Sequence, residues 1–504
     1  MLPTARDRAA RTSTRRRATW RHLTVALVAA GAVGSAAYAA AGDPPPPPEA
    51  TPAADCGPGS RPETSIQGRV PKADYASGRA ARGYTCNTEQ TAQQGSSGGF
   101  KTLRYTDQQG NTCAYYDSTL LVPRDVVSNL LRGDGLGVVV LDMNDPAAPR
   151  RTANLTTPAM LSPHESLLLN EERGLLVAVM GTLATAPGVL DVYDISGDCR
   201  KPRLMSTTLS ARFGHESGLS PDGRTFWSAG AASTTMTAVD LTDPRRPRTL
   251  LDHNGVVHHG LRFSDDGRTM YVANIGSPNG TDVLADPGLR IYDVSEVHDR
   301  EPDPEIHLLS ELTWPEASIP QSAEPFTSGG RQYVLEVDEF SDLFGDGRRF
   351  FARNAPVGAA RIIDVEDPRR PEVVSHLRLS VHQPEHRTDA QFADPGATFP
   401  AQGYAAHYCS LPTRDEPRIA GCSMILSGLR LFDISDVENP REVGYFNQPS
   451  VARDKPFVLL PPAVGGYAMS RPAWDADNDA VWYTDVNSGF YNVRLTGAAA
   501  ELLP

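Results

Sequence analysis

Several familiar signatures of enzyme chemistry are missing from this chain. The 504-residue sequence contains no P-loop, no glycine-rich dinucleotide fingerprint and no His-Glu-x-x-His, so neither nucleotide binding nor zincin-type hydrolysis is predicted. It has 6 cysteines but no Cys-x-x-Cys, so neither a structural zinc site nor thioredoxin-like chemistry is predicted. Its 43 glycines and 42 prolines leave little room for long helices. Without such motifs, the repeats along the chain are the main source of information about fold and function.

Basic residues are concentrated at the N-terminus. Residues 1–41 hold seven arginines and one acid, Asp7, with an apolar run from Leu23 to about Ala39 that ends in Ala-Tyr-Ala. A basic start, a short apolar core and a small-residue cleavage site predict a secretory signal peptide, and an uncleaved anchor is the alternative. We therefore expect a secreted or cell-surface bacterial protein, a monomer, with no stable membrane span after cleavage.

The rest of the chain is acidic, with a net charge of −19 against −13 for the whole sequence. A surface of this sign argues against nucleic acid or an anionic membrane as the partner. It leaves open which protein or small-molecule ligand is bound.

Residues 42–99 are rich in proline, glycine and serine, and they predict a linker and an irregular arm that contains Cys56 and Cys86. An even number of cysteines in an exported chain indicates disulfides. Cys409 and Cys422 would close a hairpin-sized loop, and proximity then favours Cys56–Cys86 and Cys113–Cys199. Six cysteines allow about 15 pairings, and reduced buried thiols are the alternative.

A strand-and-turn motif recurs along residues 100–504. It reads Gly-Leu-Arg-Leu-Phe-Asp-Ile-Ser-Asp-Val-Glu-Asn-Pro at Gly428–Pro440, and its near-copies align on Asp142, Asp194, Asp240, Asp293, Asp364 and Asp433, at steps of 52, 46, 53, 71 and 69 residues. Such a repeat is typical of β-propeller blades. Ala480–Asp485 and Gly489–Leu495 supply strands of a further blade. The sequence thus predicts an all-β, seven-bladed propeller, with six or eight blades as alternatives.

Two details of this propeller are also expected. The repeated Asp accepts backbone hydrogen bonds in the turn after its strand. The strand Phe100–Tyr105 closes the ring by joining the last blade. The motif resembles the LVIVD repeat of secreted and surface bacterial proteins, over most of residues 135–500. This resemblance implies a propeller but no fixed activity, and no catalytic residue can be carried over from it.

A second alignment concerns the innermost strands, which line the central channel. When they are aligned on the turn that follows each one, the same position holds His164, His215, His259, Ser322, His407 and Ser470 in blades two to seven. Imidazoles that face one another across a channel can bind a divalent transition metal. Glu165, Glu216, His258 and Glu324 are the candidates to complete or orient such a site. The alternative is that these histidines hold neighbouring blades in register.

Two functions follow from these patterns. The first is an exported binding scaffold, whose enlarged fifth and sixth blades, including the insertion at Asp338–Pro356, contact a ligand or partner. The second is a metal-dependent enzyme with the four histidines as ligands.

Overall fold

The computed structural model describes residues 48–118, 137–181, 187–230, 235–255, 258–276, 287–314, 316, 318–340, 357–397, 402–452 and 464–504. The predicted signal peptide lies outside these residues. So do most of the Pro44–Pro48 spacer and most of the insertions at Ser277–Pro287 and Asp338–Pro356.

The described strands form a seven-bladed β-propeller, as predicted. Each blade is an antiparallel sheet in which the chain steps outward from the channel-lining strand, so consecutive strands are neighbours and tight turns suffice to connect them. Blades one to three comprise Thr102–Thr106, Thr112–Asp117, Val138–Asp142 and Arg150–Leu155; Leu167–Asn170, Leu175–Val179, Gly188–Asp194 and Arg203–Ala211; and Glu216–Leu219, Thr225–Ala229, Thr235–Asp240 and Arg248–Asn254.

The remaining blades follow the same order. Blades four and five comprise Leu261–Phe263, Thr269–Asn274, Gly288–Asp293 and His307–Thr313; and Ile319–Ser328, Arg331–Glu339, Ala360–Asp364 and Glu372–Leu377. Blade six comprises Tyr408–Ser410, Ile419–Ser423, Leu429–Asp433 and Arg441–Asn447, and blade seven comprises Ala473–Asp475, Ala480–Asp485 and Gly489–Leu495.

The ring is closed by the arm, not by the strand that the sequence suggested. Thr88–Gln94 pairs with Gly489–Leu495 and becomes the outermost strand of blade seven. Tyr84–Cys86 adds a fifth strand to blade six. The prediction that Phe100–Tyr105 closes the ring is wrong, because Thr102–Thr106 is the innermost strand of blade one. The sheets therefore include residues that precede the predicted boundary at residue 100.

Short helices and one extra strand pair lie in the arm and in the segments that connect or follow the strands of the blades. The α-helices are Lys72–Ser77, Pro158–Leu161, Ser295–Asp299, Asp389–Phe392 and Gly497–Ala500. The 3-10 helices are Ala80–Arg82, Ser380–His382, Pro384–His386, Pro395–Ala397 and Ala476–Asn478, and the extra pair is Val451–Ala452 with Val464–Gly465. None of the helices in the described part of the chain has the length and apolar character needed to cross a membrane.

Apolar clusters between neighbouring blades hold the ring together. Tyr115 and Val140 of blade one pack with Leu176 of blade two, and the interface of blades seven and one contains Trp482 and Leu141. Comparable clusters join the other pairs of adjacent blades. Because each sheet buries both faces, strands such as Leu175–Val179 are apolar throughout rather than alternating.

The repeated Asp has the structural role predicted for it. Oδ1 of each accepts a hydrogen bond from the backbone N–H two residues later, at 2.9–3.1 Å, in blades one to six: Asp142, Asp194, Asp240, Asp293, Asp364 and Asp433. The glycine that begins the repeat, as at Gly288, is required for a steric reason. A Cβ built on Gly288 would stand 2.0 Å from the carbonyl oxygen of Leu312 on the outer strand.

All three predicted disulfides are present. Cys56–Cys86 joins the arm to its own strand, Cys113–Cys199 links blades one and two, and Cys409–Cys422 links two paired strands of blade six. No cysteine is free.

Candidate metal centre

Four histidines from four blades lie together where the inner strands begin. Each of them precedes the inner strand of its blade: His164 in blade two, His215 in blade three, His259 in blade four and His407 in blade six. The rings of His164 and His215 have centroids 4.4 Å apart, and those of His215 and His259 are 4.8 Å apart. The inner-strand alignment therefore brought together residues that are distant in sequence. Three of the side chains are buried, and His215 is 12% exposed.

The imidazole Nε2 atoms converge on the carboxylate of Glu165. Oε2 of Glu165 lies 3.8 Å from Nε2 of His164, 3.5 Å from Nε2 of His215 and 3.4 Å from Nε2 of His259. The Nε2 atoms of His215 and His259 are themselves 3.2 Å apart. Oε1 of Glu165 lies 3.3 Å from Nε2 of His407. Three nitrogens thus surround one carboxylate oxygen that has no hydrogen-bond donor among the described residues.

Glu339 is a further member of the site that the sequence alignment missed. It ends the second strand of blade five, with Oε1 3.4 Å from Nε2 of His259 and Oε2 3.3 Å from Nε2 of His407. The alignment considered inner strands only, whereas second strands end at the same rim of the channel. The sequence feature that could have identified Glu339 is the acidic end Glu336-Val-Asp-Glu339, which follows the apolar residues Tyr333–Leu335 of the same strand.

Backbone contacts fix how two of the imidazoles face the centre. Nδ1 of His407 lies 2.6 Å from the carbonyl oxygen of Met469, and Nδ1 of His215 lies 3.2 Å from that of Gly181. A carbonyl only accepts, so Nδ1 must carry the hydrogen in both rings. In the neutral tautomer, Nε2 of each ring then presents a lone pair to the cluster. This is the orientation in which a metal-bound histidine is usually held.

His164 has a strained backbone. Its φ angle is +54°, a left-handed conformation that is unfavourable for a residue with a Cβ. Strain of this kind costs about 1–3 kcal/mol and is concentrated at functional sites. Phe100 packs edge-on against the His164 ring at 4.1 Å and forms an apolar wall beside the cluster.

Blade five departs from the register that the alignment assumed. The pairing of its first two strands shifts between Pro320 and Ser322, so the extra residue in this bulge is Gln321. Gln321, not Ser322, reaches the cluster, and its Nε2 donates to Oε1 of Glu165 at 2.7 Å. A bulge is invisible to an alignment on turns, because it changes the register inside the strand.

The charges in this cluster are poorly compensated. Burial raises the pKa of Glu165 and of Glu339, because a carboxylate is stabilised by water. Burial and the neighbouring imidazoles lower the pKa of His164 and His259 well below the usual value. Burial opposes protonation of His407 as well, but its contacts with Glu165 and Glu339 raise its pKa to about 9. The cluster thus holds two buried carboxylates next to two imidazoles, His164 and His259, whose protonation is disfavoured.

Glu216 lies beneath the cluster in a different environment. Its Oε1 accepts from Nζ of Lys101 at 3.0 Å and from Nη1 of Arg262 at 3.3 Å, and its Oε2 accepts from the hydroxyl of Tyr408. Burial lowers the pKa of Lys101 to about 8, with Glu216 opposing the shift. Ligand atoms of Glu165, Glu216 and His259 lie within 4.8 Å of one another, so Glu216 borders the cluster while its oxygens are already engaged.

The other two predicted accessory residues, Glu324 and His258, differ in their environments. Oε1 of Glu324 accepts from Arg262 at 3.0 Å and from Arg471 at 2.9 Å. Burial opposes its ionisation, but these two guanidinium groups lower the pKa of Glu324 far below the usual value. Glu324 therefore belongs to the ionic layer under the site. His258 is buried next to His259 and helps to lower the pKa of that residue.

The spacing of the donor atoms fits a transition-metal ion. At a Zn–N bond of about 2.0–2.1 Å, two ligands of a tetrahedral site are about 3.3 Å apart. The observed separations among Nε2 of His215, Nε2 of His259 and Oε2 of Glu165 are 3.2, 3.5 and 3.4 Å. Imidazole nitrogens together with carboxylate oxygens suit Zn, Cu, Fe or Mn. His164, Glu165 and His215 form a second group whose donor atoms lie within 4.8 Å of one another.

Comparisons with known proteins find only distant structural similarity. No family model and no curated protein sequence matches the chain. Among solved structures, the periplasmic gluconolactonase of Pseudomonas aeruginosa is 15% identical, with a TM-score of 0.45, over 72% of this chain and 93% of that chain. Hydrazine synthase of Kuenenia stuttgartiensis is 12% identical, with a TM-score of 0.48, over 81% and 98%. A chain of the mitotic checkpoint complex is 10% identical, with a TM-score of 0.47, over 81% and 96%.

Proposed function

We propose that this protein is an exported, metal-dependent β-propeller, which binds one transition-metal ion through His164, His215, His259 and Glu165. His407 and Glu339 complete or orient this centre. The convergence of three Nε2 atoms on one buried, otherwise unpartnered carboxylate oxygen carries the proposal. A cation at this point would relieve the repulsion between facing lone pairs and compensate the buried carboxylates.

A catalytic role suits this centre better than a structural one. Structural zinc sites are closed and contribute directly to folding, whereas catalytic metals keep a position open to substrate. Here the blades are already joined by apolar clusters and, between blades one and two, by the disulfide Cys113–Cys199, so sources of stability other than a metal are present. The side chain of His215 is the most exposed of the four imidazoles and marks the direction from which a substrate would approach. A bound metal would supply activation of a water molecule or of a substrate.

The side chains of this chain have separable roles around the metal. Gln321 holds Oε1 of Glu165, which leaves Oε2 directed at the imidazoles. Met469 and Gly181 orient His407 and His215 through their carbonyl groups. Glu339 is the carboxylate placed to accept a proton, because its two oxygens each lie 3.3–3.4 Å from an imidazole nitrogen.

Export is the second part of this proposal. Disulfides persist in oxidising compartments, and all six cysteines are paired, which supports a location outside the cytoplasm. The N-terminal residues that would direct export lie outside the described part of the chain. Fractionation of the native cells should recover the mature protein, without residues 1–41, in the envelope or the medium. Recovery of the full-length chain in the cytoplasm would contradict this.

Metal analysis of the native protein is the decisive experiment. We expect about one transition-metal ion per chain in the wild type and its loss in a His215→Ala/His259→Ala variant. A His307→Ala variant is the matched control, because His307 is half exposed and pairs with Glu296 on the outer edge of blade four. X-ray absorption of the loaded protein should show nitrogen and oxygen neighbours without sulfur.

Two outcomes would count against the metal centre. One is native protein that lacks stoichiometric metal, and the other is a double variant that folds and retains the wild-type metal content. Either result would favour the binding scaffold, for which the enlarged blades five and six are the expected contact surface.

If the metal is present, substrate screening with and without a chelator separates an enzyme from a metal-containing binding protein. Only the enzyme loses turnover on chelation.

A further inference from the structure

Arg378 is a buried cation without a hydrogen-bond partner. It follows the outer strand of blade five, where its backbone N–H donates to Oγ1 of Thr51 and its carbonyl accepts from the N–H of Thr51. The residue is 2% exposed. Among the described residues, nothing accepts a hydrogen bond from its guanidinium group, and the buried Nε and Nη1 atoms have no partner at all.

Four other buried arginines in the described part of the chain show what is missing. Arg430 binds Glu63 and Glu442, Arg361 binds Glu336 and Asp338, Arg262 binds Glu216 and Glu324, and Arg290 binds Glu311. A guanidinium buried without an anion is strongly destabilising, since the penalty for removing its hydration is several kcal/mol. Each of these four arginines therefore has at least one carboxylate within ion-pair distance, whereas Arg378 has none among the described residues.

The surroundings of Arg378 increase the positive potential. Arg387 is also buried and stacks on Phe392, with 5.6 Å between the guanidinium carbon and the ring centre. Burial lowers the pKa of both Arg378 and Arg387 to about 10, and the charge of Arg378 lowers the pKa of Arg387 further. The same two charges help to lower the pKa of His382. Three cationic or potentially cationic groups are thus close enough to repel one another.

Two nearby carboxylates attract Arg378 without binding it. Glu316 and Asp338 favour the charged form of Arg378, but both are paired with Arg361, at 3.5 and 2.9 Å, and neither accepts a hydrogen bond from Arg378. Arg387 lines a pocket together with Gln391, Tyr404 and Val381. A pocket lined by a buried arginine and other polar side chains is a suitable environment for a small anion.

We propose that Arg378 and Arg387 form a binding site for a small oxyanion, either a phosphate group or a carboxylate. The planar guanidinium of Arg378 can donate two parallel hydrogen bonds to two oxygens of such a group. Arg387 supplies the second positive charge from the side of the pocket. This site is separate from the metal centre, and the inference does not depend on the proposed metal.

The test is the thermal stability of the full chain in millimolar inorganic phosphate or acetate, against chloride at the same ionic strength. We expect a saturable rise in melting temperature with one of the two probes, which identifies the oxyanion class. The Arg378→Met variant should lose this shift, Arg378→Lys should weaken it, and Arg387→Met should reduce it. Arg370→Met is the control for non-specific salt effects, because the side chain of Arg370 is 85% exposed.

Two results would overturn the anion site. The first is the absence of a saturable shift with both probes, and the second is an equal shift in wild type and Arg378→Met. If Arg378→Met does not fold, calorimetric titration of phosphate and acetate into wild type and Arg387→Met gives the same decision, because equal binding by both proteins refutes the site. Metal content should be unchanged in the folded arginine variants, so failure of this proposal is distinguishable from failure of the metal centre.

Discussion

Burial of a neutral His382 should make this protein less stable at pH 5 than at pH 7, because only the unfolded chain takes up a proton on this ring in that range. His382 lies in the 3-10 helix Ser380–His382 that leads from blade five to blade six, and its side chain is buried. Nδ1 accepts the backbone N–H of Leu379 at 3.1 Å, while Nε2 faces the carbonyl oxygen of Tyr404 at 2.8 Å. Only the neutral ring with hydrogen on Nε2 satisfies both contacts. A second proton on Nδ1 would therefore break the first contact.

The size of this loss in unfolding free energy follows from the pKa of His382. Burial first, and then the charge of Arg378, lower the pKa of His382 from 6.5 to about 3. Between these two values the unfolded chain binds a proton that the folded chain does not, so stability is fully present above about pH 6.5 and is lost as the pH falls. At about 1.4 kcal/mol per pH unit, the loss reaches about 2 kcal/mol at pH 5.

The measurement compares urea unfolding of wild type and His382→Gln at pH 7 and pH 5. Glutamine can accept and donate at this position but cannot be protonated, so the variant lacks this source of pH dependence. The free-energy difference between the two proteins should change by about 2 kcal/mol in favour of the variant at the lower pH. His307→Gln is the control: Glu296 raises the pKa of this exposed histidine, so its pH effect has the opposite sign. A wild type–His382→Gln difference that stays the same at both pH values would refute the reasoning.

Two further substitutions test the packing. Arg430→Met leaves Glu63 and Glu442 as uncompensated buried carboxylates, and we expect a loss of about 3–5 kcal/mol in urea unfolding. Adding Glu63→Gln should restore part of this loss, and a purely additive double variant would contradict the ion-pair explanation. Gly288→Ala should cost about 1–3 kcal/mol, because its Cβ would stand 2.0 Å from a backbone oxygen. Gly197→Ala, where no atom lies within 4 Å of the new Cβ, should change the melting temperature little, and an equal effect of the two would exclude the steric explanation.

The repeating parts of the fold could be predicted from sequence. Asp142 and its equivalents end a largely apolar strand, and in all copies but that of Asp293 a proline-containing turn follows, so the copies predict the same local structure. The four histidines were accessible by the same logic, because a propeller places equivalent inner-strand positions around one axis. His164 and His407 are more than two hundred residues apart in sequence, yet both border Glu165.

The parts that break the repeat could not be predicted. The closing strand Thr88–Gln94 alternates poorly and lies in a polar arm, and its role depends on pairing with the far end of the chain. Gln321 enters the site through a register shift inside a strand. Glu339 lies at the end of a second strand, and only the closed ring shows that this end meets the inner strands of other blades. Each of these features depends on tertiary contacts that a local pattern does not encode.

The contrast between Glu165 and Glu216 shows how a repeat acquires a specific site. The two residues follow equivalent histidines and form a parallel bridge between neighbouring inner strands. Lys101, Arg262 and Tyr408 engage both oxygens of Glu216, which thereby belongs to the ionic layer under the site. Oε1 of Glu165 accepts from Gln321 and lies 3.3 Å from Nε2 of His407, and its Oε2 faces only imidazoles. The same residue type at the same repeat position therefore has both oxygens engaged in blade three and keeps one oxygen without a donor in blade two, where it is a ligand of the proposed metal centre. The neighbouring blades bring lysine and arginine to one carboxylate and imidazoles to the other.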